Sequence, residues 1–221
     1  MLWDTPQVRD NLRVREGQRV FYLRRGDQLT SAARDWLRGE RIDILPGDLA
    51  KPEEYRLLSG GFLGEKPENM THLSGNILVP KTHPRIRLRG KLDTLEAALL
   101  LAGQEPGAPS ALEEVLRFTR AILKSEVLGT PLEEGQLLGL TQEALHRRSH
   151  FPQDHYGQPH FMPAISDGPV MARLNSARCA AREAELAAVA AFPENQRPDL
   201  LQALNRLSSA IYLLMIEEKA H

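Results

Sequence analysis

The stretch RCAAREAEL, Arg178 to Leu186, is rich in alanine, lacks glycine and proline, and reads as helix. A helix of that register stacks Arg178, Arg182 and Glu185 on one face, at i, i+4 and i+7. Such a face raises the question whether it carries a site. The plain alternative is a solvated stripe with one Glu–Arg pair. A second polar stripe, Asn205, Ser208, Ser209 and Tyr212, recurs at the same helical spacing near the C-terminus. Short polar groups are poor helix formers, so they suit a buried site or an interface as well as a solvent face. Upstream, Lys81, Thr82 and His83 precede a run of arginines, Arg85, Arg87 and Arg89. A lysine, a hydroxyl and free backbone N–H groups at a helix start can cradle phosphate. The Gly-x-x-x-x-Gly-Lys frame is missing, so a solvated basic strand is the simpler reading there. Asp93 follows, placed either to favour the helix dipole or to hold an arginine. His146, His150, His155 and His160 crowd one segment, with only Asp154 close in sequence. The first two share a helix face and could ligate a metal, but hydrogen-bonded or surface histidines account for them better. Tyr156, Phe161 and Met162 nearby suggest an apolar wall.

These residues need a scaffold, and composition describes it. The chain has 221 residues, 42% apolar and 26% charged, enough for one sizeable domain with a small appendage. A net charge of −1 offers no general basic field for nucleic acid or an anionic membrane, so any anion site must be local. Cys179 is the only cysteine, which excludes an intrachain disulfide and a thiolate zinc site and fits a reducing cytoplasm. The opening MLWDTPQVRDNLRVREG carries acids and no apolar h-region, so no signal peptide is expected, and no run of 18 apolar residues occurs.

Along the chain, Val20 to Leu23 reads as a strand, Thr30 or Ser31 as the cap of a helix ending near Gly39, and Arg41 to Leu45 as a second strand. Residues 1–50 are thus expected to form a small α+β appendage, and 51–75 a linker or mobile loop. Residues 76–221 are expected to form a helical bundle. Its helices are read at Asp93 to Ala102, at Ser110 (opened by the capping box Ser110-Ala-Leu-Glu113) to Val127, at Thr141 to Arg148, at Asn175 to Ala191 and at Pro198 to Glu217. Residues 149–168, with three prolines, read as a long loop. In the last helix Leu200, Leu204, Leu207, Ile211 and Leu214 make one core stripe. The architecture expected is mainly α, about five helices with a small N-terminal piece.

Three stretches carry a resemblance. RCAAREAEL resembles the Arg-x-x-x-Arg-x-x-Glu helix of the ATP:corrinoid adenosyltransferases. ALNRLSSAIYLL, Ala203 to Leu214, is similar to that family's Asn-Arg-Leu-Ser-Asp helix, and RIRLRGKLDTLEA to its Gly-x-x-Asp-Glu-Leu helix. LTSAARDWLRGERIDI, THLSGNILVPKTHPRIRLRGKLDTLEA and the LHRRSH to HFMP segment look like the ethanolamine-utilisation branch, so the resemblance covers nearly the whole chain.

The resemblance implies a five-helix bundle, commonly a homotrimer, binding ATP between neighbouring subunits. It implies transfer of the 5′-deoxyadenosyl group of ATP to the cobalt of cob(I)alamin, giving adenosylcobalamin for ethanolamine ammonia-lyase. A corrinoid reductase is a further implied partner, and the expected location is the cytoplasm, with a bacterial microcompartment as a possible address. Arg182 matches the arginine on the ATP phosphates. Arg178 matches one that pairs with Asp93 across the subunit interface, and Asn205 an ATP-contacting asparagine. Glu185 is expected to orient Arg182, and Lys81 and Thr82 fall where the phosphate loop belongs. His160, Phe161 and Met162 take the place of the segment facing the lower side of cobalamin; Phe161 would block that side, whereas His160 could ligate cobalt. Two departures stand out. Ser209 replaces the family's aspartate, and LSGGFLGEKPENMTHL lacks the Cys-Cys-x-x-Cys cluster of some branch members. The expectation is therefore a variant with no protein-bound metal, using magnesium with ATP. The competing readings are a non-catalytic helical corrinoid-binding or scaffold protein and a histidine-based metalloenzyme.

Overall fold

The computed structural model describes residues 1–15, 18–47, 55–63, 65–133 and 135–220. They fall into two compact units, Met1–Arg56 with Gly60–Glu65, and Leu57–Ser59 with Lys66–His221.

In the first unit, β1 (Leu2–Trp3) pairs in parallel with β4 (Gln28–Leu29). α1 (Thr5–Asp10) is opened by an Asp4–Gln7 capping box. β2 (Arg13–Arg15) runs antiparallel to β3 (Gln18–Leu23), and β3 runs parallel to β5 (Asp43–Pro46) in the register Val20↔Asp43 to Leu23↔Pro46. Between β3 and β5 the chain passes through α2 (Ser31–Gly39), whose first turn is capped by Thr30 Oγ1 accepting from the Ala33 N–H at 3.2 Å. This is the expected strand–helix–strand unit. Val8, Phe21, Leu29, Ala33, Leu37 and Ile42 form its core.

The expected linker over 51–75 is strand in much of its described part. β6 (Tyr55–Leu57) pairs antiparallel with β7 (Phe62–Leu63), and β8 (Met70–Ser74) with β9 (Ile77–Pro80); residues 51–54 and 64 lie outside the described residues. The glycines that suggested a linker are turn residues: Gly60, Gly61 and Gly75 have φ of +98°, +90° and +53°. Glycine reaches that region without the Cβ clash of other residues, which is what tight reversals demand.

The second unit is built on α3 (Pro84–Gly103), α4 (Leu112–Leu128), α5 (Gln142–His150), the short α6 (Pro152–Tyr156), α7 (Gly168–Ala191) and α8 (Pro198–Lys219). α7 packs against both α3 and α8, α4 against the same two, and α5 against α8. The inner faces of α7 are alanines, with Ala177, Ala181, Ala184 and Ala188 fully buried, so its neighbours approach closely. Opposite them stand Leu88, Leu92, Leu95 and Leu99 of α3 and the predicted stripe Leu200, Leu204, Leu207, Ile211 and Leu214 of α8, all buried.

Helix starts differ from expectation. α3 begins at Pro84, so Arg85, Arg87 and Arg89 are helical and Asp93 lies mid-helix rather than in a first turn. Proline at the first position presets φ, and His83 Nδ1 accepts from the Arg85 N–H at 3.2 Å. Burial, with Arg85 and Arg89 next, holds the His83 pKa below its ordinary value, which keeps that capping nitrogen unprotonated. α7 likewise begins at Gly168-Pro169, seven residues early. The predicted Ser110–Glu113 box is absent, since Ala111 caps α4 without a side-chain bond. The segment 149–168 contains the end of α5, all of α6 and a 3-10 turn at Ile165–Asp167.

Candidate functional site

The Arg178–Arg182–Glu185 face of α7 and the Asn205–Ser208–Ser209–Tyr212 face of α8 line one open cavity of about 570 Å³. Ser149 and His150 from the end of α5 and the segment His160 to Pro163 complete the walls, with the buried Met215 and the exposed Leu186 as apolar lining. The helical spacings explain the convergence: residues three and four apart share a face, and α7 packs along α8, so two polar stripes meet over alanines and leucines.

Arg178 is half-buried and donates from Nη2 to Asn175 Oδ1 at 3.2 Å. Arg182 is exposed, with no hydrogen-bond partner among the described residues. The expected contact of Glu185 with Arg182 is not formed; Glu185 Oε1 instead accepts from Asn205 Nδ2 at 2.7 Å. Asn205 sits across the helix seam at the reach of a glutamate, while Arg182 projects outward. Ser208 and Ser209 both donate to the Asn205 carbonyl, at 2.9 and 3.4 Å, so their hydroxyl oxygens remain as acceptors. With two arginines and one carboxylate, the cavity favours an anion.

His160 is fixed on both nitrogens, 3.1 Å from the Tyr212 hydroxyl at Nδ1 and 3.1 Å from the His150 carbonyl at Nε2. A carbonyl only accepts, so Nε2 carries the proton and Nδ1 accepts from Tyr212. Phe161 is half-buried and stacks on Tyr212 at 5.9 Å between ring centroids, and Met162 is 85% exposed at the rim.

Three predicted site residues lie elsewhere. Lys81 and Thr82 are in the turn between β9 and α3, outside the cavity wall, and Lys81 Nζ donates to Glu68 Oε1 at 3.0 Å. Asp93 is exposed on α3 and makes no ion pair with Arg178 within the chain. The four histidines do not converge. His146 and His150 lie with ring centroids 4.0 Å apart and planes tilted by 44°, and among the described residues no three His, Cys, Asp or Glu side chains are grouped to hold a metal. Sequence reasoning missed Ser149 and His150 as wall residues, although it preferred a hydrogen-bonded or surface histidine to a metal ligand at His150, and His150 Nδ1 indeed lies 2.9 Å from the His146 carbonyl. The amphipathic side of α5 was the signal, since Leu145 and Ser149 are buried four residues apart.

A different cluster braces the far end of the bundle. Glu126, fully buried on α4, accepts from Arg85 Nε and Arg89 Nε at 2.5 Å each, and Arg89 Nη2 donates to the Leu73 carbonyl of β8. It touches none of the cavity residues.

The chain is similar to known proteins over this same region. The family described as Cobalamin adenosyltransferase matches residues 62–218. The corrinoid adenosyltransferase EutT of Escherichia coli K12 is 38% identical over 161 residues, 70% of this chain and 60% of that protein. EutT of Salmonella typhimurium LT2 is 36% identical over 159 residues, 69% and 59% of the two chains. The match thus spans about three fifths of those relatives. Among solved structures, two variants of a PduO-type ATP:corrinoid adenosyltransferase from Lactobacillus reuteri, both complexed with cobalamin and ATP, share the fold. They align at TM-scores of 0.50 and 0.51 and 22% identity, over 69% of this chain and 90% and 87% of theirs. With a family match running from β7 to the end of α8 and taking in every wall of the cavity, the chain belongs to the cobalamin adenosyltransferases.

Proposed function

We propose that the chain transfers the 5′-deoxyadenosyl group of ATP to cob(I)alamin. The observation that carries this reading is the meeting of Arg178, Arg182 and Glu185 with Asn205, Ser208 and Ser209 around one cavity of about 570 Å³, a volume within the usual range for ligand sites. Cobalt in the +1 state is itself the nucleophile. Its electron pair forms the bond to C5′ as the C5′–O bond breaks, and the triphosphate leaves with that bonding pair. The protein therefore needs no general base at the reacting carbon. Its tasks are to place ATP and to neutralise the leaving polyanion.

Arg182 suits the second task, since its donors have no acceptor among the described residues. Asn205 and the two serine oxygens suit the first. Magnesium enters with the nucleotide and supplies further charge neutralisation. The single carboxylate on the cavity wall, Glu185, is engaged by Asn205, so the phosphates rather than a protein acid cluster would hold that ion.

On the corrin side, His160 has one ring nitrogen donating and the other accepting, which leaves no lone pair for cobalt. That favours Phe161 as the group that excludes a lower axial ligand, with Met162 beside it. The exposed Asp93 and the half-buried Arg178 fit a pairing between neighbouring subunits, so the site is read as completed by a second copy in a homotrimer or another homo-oligomer. In such an assembly Lys81 and Thr82 of one subunit would serve ATP held by the next. The product would supply an adenosylcobalamin-dependent lyase of ethanolamine, with a corrinoid reductase delivering the reduced substrate, in the cytoplasm or at a microcompartment.

The deciding experiment is turnover of ATP with chemically reduced cob(I)alamin, read as loss of the cob(I)alamin absorbance and formation of adenosylcobalamin. Adenosylation at catalytic protein supports the reading. Tight binding of ATP or corrin without turnover returns the chain to a binding or scaffold role.

A further inference from the structure

Asn205 is held from both sides. Its Nδ2 donates to Glu185 Oε1 at 2.7 Å, and its Oδ1 accepts from Arg206 Nη1 at 2.5 Å. A guanidinium has donors only, so the atom facing Arg206 must be the amide oxygen. A flipped amide would set NH₂ against N–H on one side and oxygen against a carboxylate on the other. The same Arg206 Nη1 lies 3.2 Å from His146 Nδ1. Nη1 carries two hydrogens, one for each acceptor, so Nδ1 of His146 is bare and its ring proton sits on Nε2.

His146 belongs to α5, Arg206 and Asn205 to α8, and Glu185 to α7, so this run of bonds ties three helices behind one wall of the cavity. Neither Arg206 nor His146 lines that cavity. Arg206 Nε is moreover buried without a partner, so the guanidinium is not seated for its own best bonding.

We propose that Arg206, seated by His146, is a positioning residue that locks the Asn205 amide with Nδ2 toward Glu185, leaving its second hydrogen for an acceptor on the nucleotide. This rests on the nucleotide reading of the cavity given above. Arg206 acts only through Asn205, and His146 only through Arg206.

The test measures magnesium-ATP affinity by calorimetry, and KM and kcat in the adenosylation assay, for the wild type, Arg206→Lys, Asn205→Ala and the double variant. Lysine keeps the charge and loses the fork. Arg206→Lys is expected to raise Kd and KM for ATP about tenfold while kcat changes less than about threefold, the scale of one charge-assisted hydrogen bond. The double variant should be no worse than Asn205→Ala, because nothing is left to position. His146→Gln, which keeps an acceptor, should retain wild-type ATP affinity, whereas His146→Phe should share the Arg206→Lys defect. Additive losses in the double variant, or wild-type affinity in Arg206→Lys, overturn the positioning role while the nucleotide site stands. A wild type that does not bind ATP overturns the nucleotide reading and this role with it.

Discussion

At the residue scale the proposed chemistry turns on Arg182. It is exposed, has no hydrogen-bond partner among the described residues, and shares a face with Arg178 and Glu185 on the cavity wall. Arg182→Ala is expected to lower kcat for adenosyl transfer about 10²–10³-fold, the usual cost of removing one preorganised donor from a developing charge. Arg182→Lys should recover little of it, because a point charge does not reproduce a bidentate fork. Far-UV circular dichroism of both variants should match the wild type, as the side chain is exposed. Near-normal turnover of Arg182→Ala at saturating ATP returns this face to a solvated stripe. The histidines make a second expectation. Since they do not converge, activity should survive a transition-metal chelator once magnesium is restored. Stoichiometric zinc or iron lost together with activity overturns it.

Two ion-pair clusters set what the elements contribute. Glu126 is buried between Arg85 and Arg89, joining α4 to α3 and, through the Leu73 carbonyl, to β8. A buried carboxylate with two guanidiniums is costly to break, because the surviving charges stay desolvated. Glu126→Gln should therefore destabilise the chain by about 3–5 kcal/mol in urea unfolding. It should leave KM for ATP near the wild-type value, since the cluster does not reach the cavity.

At the start of α8, Asp199 accepts from Arg197 and from the Leu132 N–H, while Arg197 also reaches Ser125 Oγ and the Thr130 carbonyl. The hydrogen bond from Arg197, above all, lowers the Asp199 pKa from 3.8 to about 2. A depressed carboxylate stabilises the fold fully above its unfolded pKa, and that contribution is lost as pH falls through the folded one. The shift corresponds to about 2 kcal/mol at neutral pH. The stability gap between wild type and Asp199→Asn should be widest above pH 5 and narrow as the pH approaches 2. A gap that stays constant over that range contradicts the assignment.

For the whole molecule the question is assembly. Asp93 lies exposed on α3, and Leu100 and Leu101 of α3 and Leu186 and Val189 of α7 are exposed apolar side chains of the kind a subunit interface covers. If Asp93 of one subunit pairs with Arg178 of the next, Asp93→Asn should weaken assembly by about 2–5 kcal/mol, as when one partner of an interfacial charge pair is truncated. Sedimentation velocity across a dilution series reads this directly. ATP affinity should fall in step with assembly. An unchanged oligomer with unchanged ATP affinity removes the pair from the interface.

What sequence alone determined about this protein was periodic. Helical spacing put Arg178, Arg182 and Glu185 on one face and Leu200 through Leu214 on another, and the structure keeps both, because 3.6 residues per turn is a local property. The strand–helix–strand unit of the N-terminal part was legible for the same reason, with Thr30 a local cap. Boundaries were not, since they depend on what a segment finds to pack against. The arginine run before Asp93 became helix because Arg85 and Arg89 found Glu126, some forty residues away, and Gly60, Gly61 and Gly75 became hairpin turns because strands lay on either side. Partners across helices were equally hidden. Glu185 reads as a partner of Arg182 on a single helix, and only the packing of α7 on α8 brings it Asn205 instead. The two nitrogens of His160 are committed by Tyr212 and the His150 carbonyl, 52 and 10 residues distant, so what its ring has free to offer was decided by tertiary contacts that no local pattern encodes.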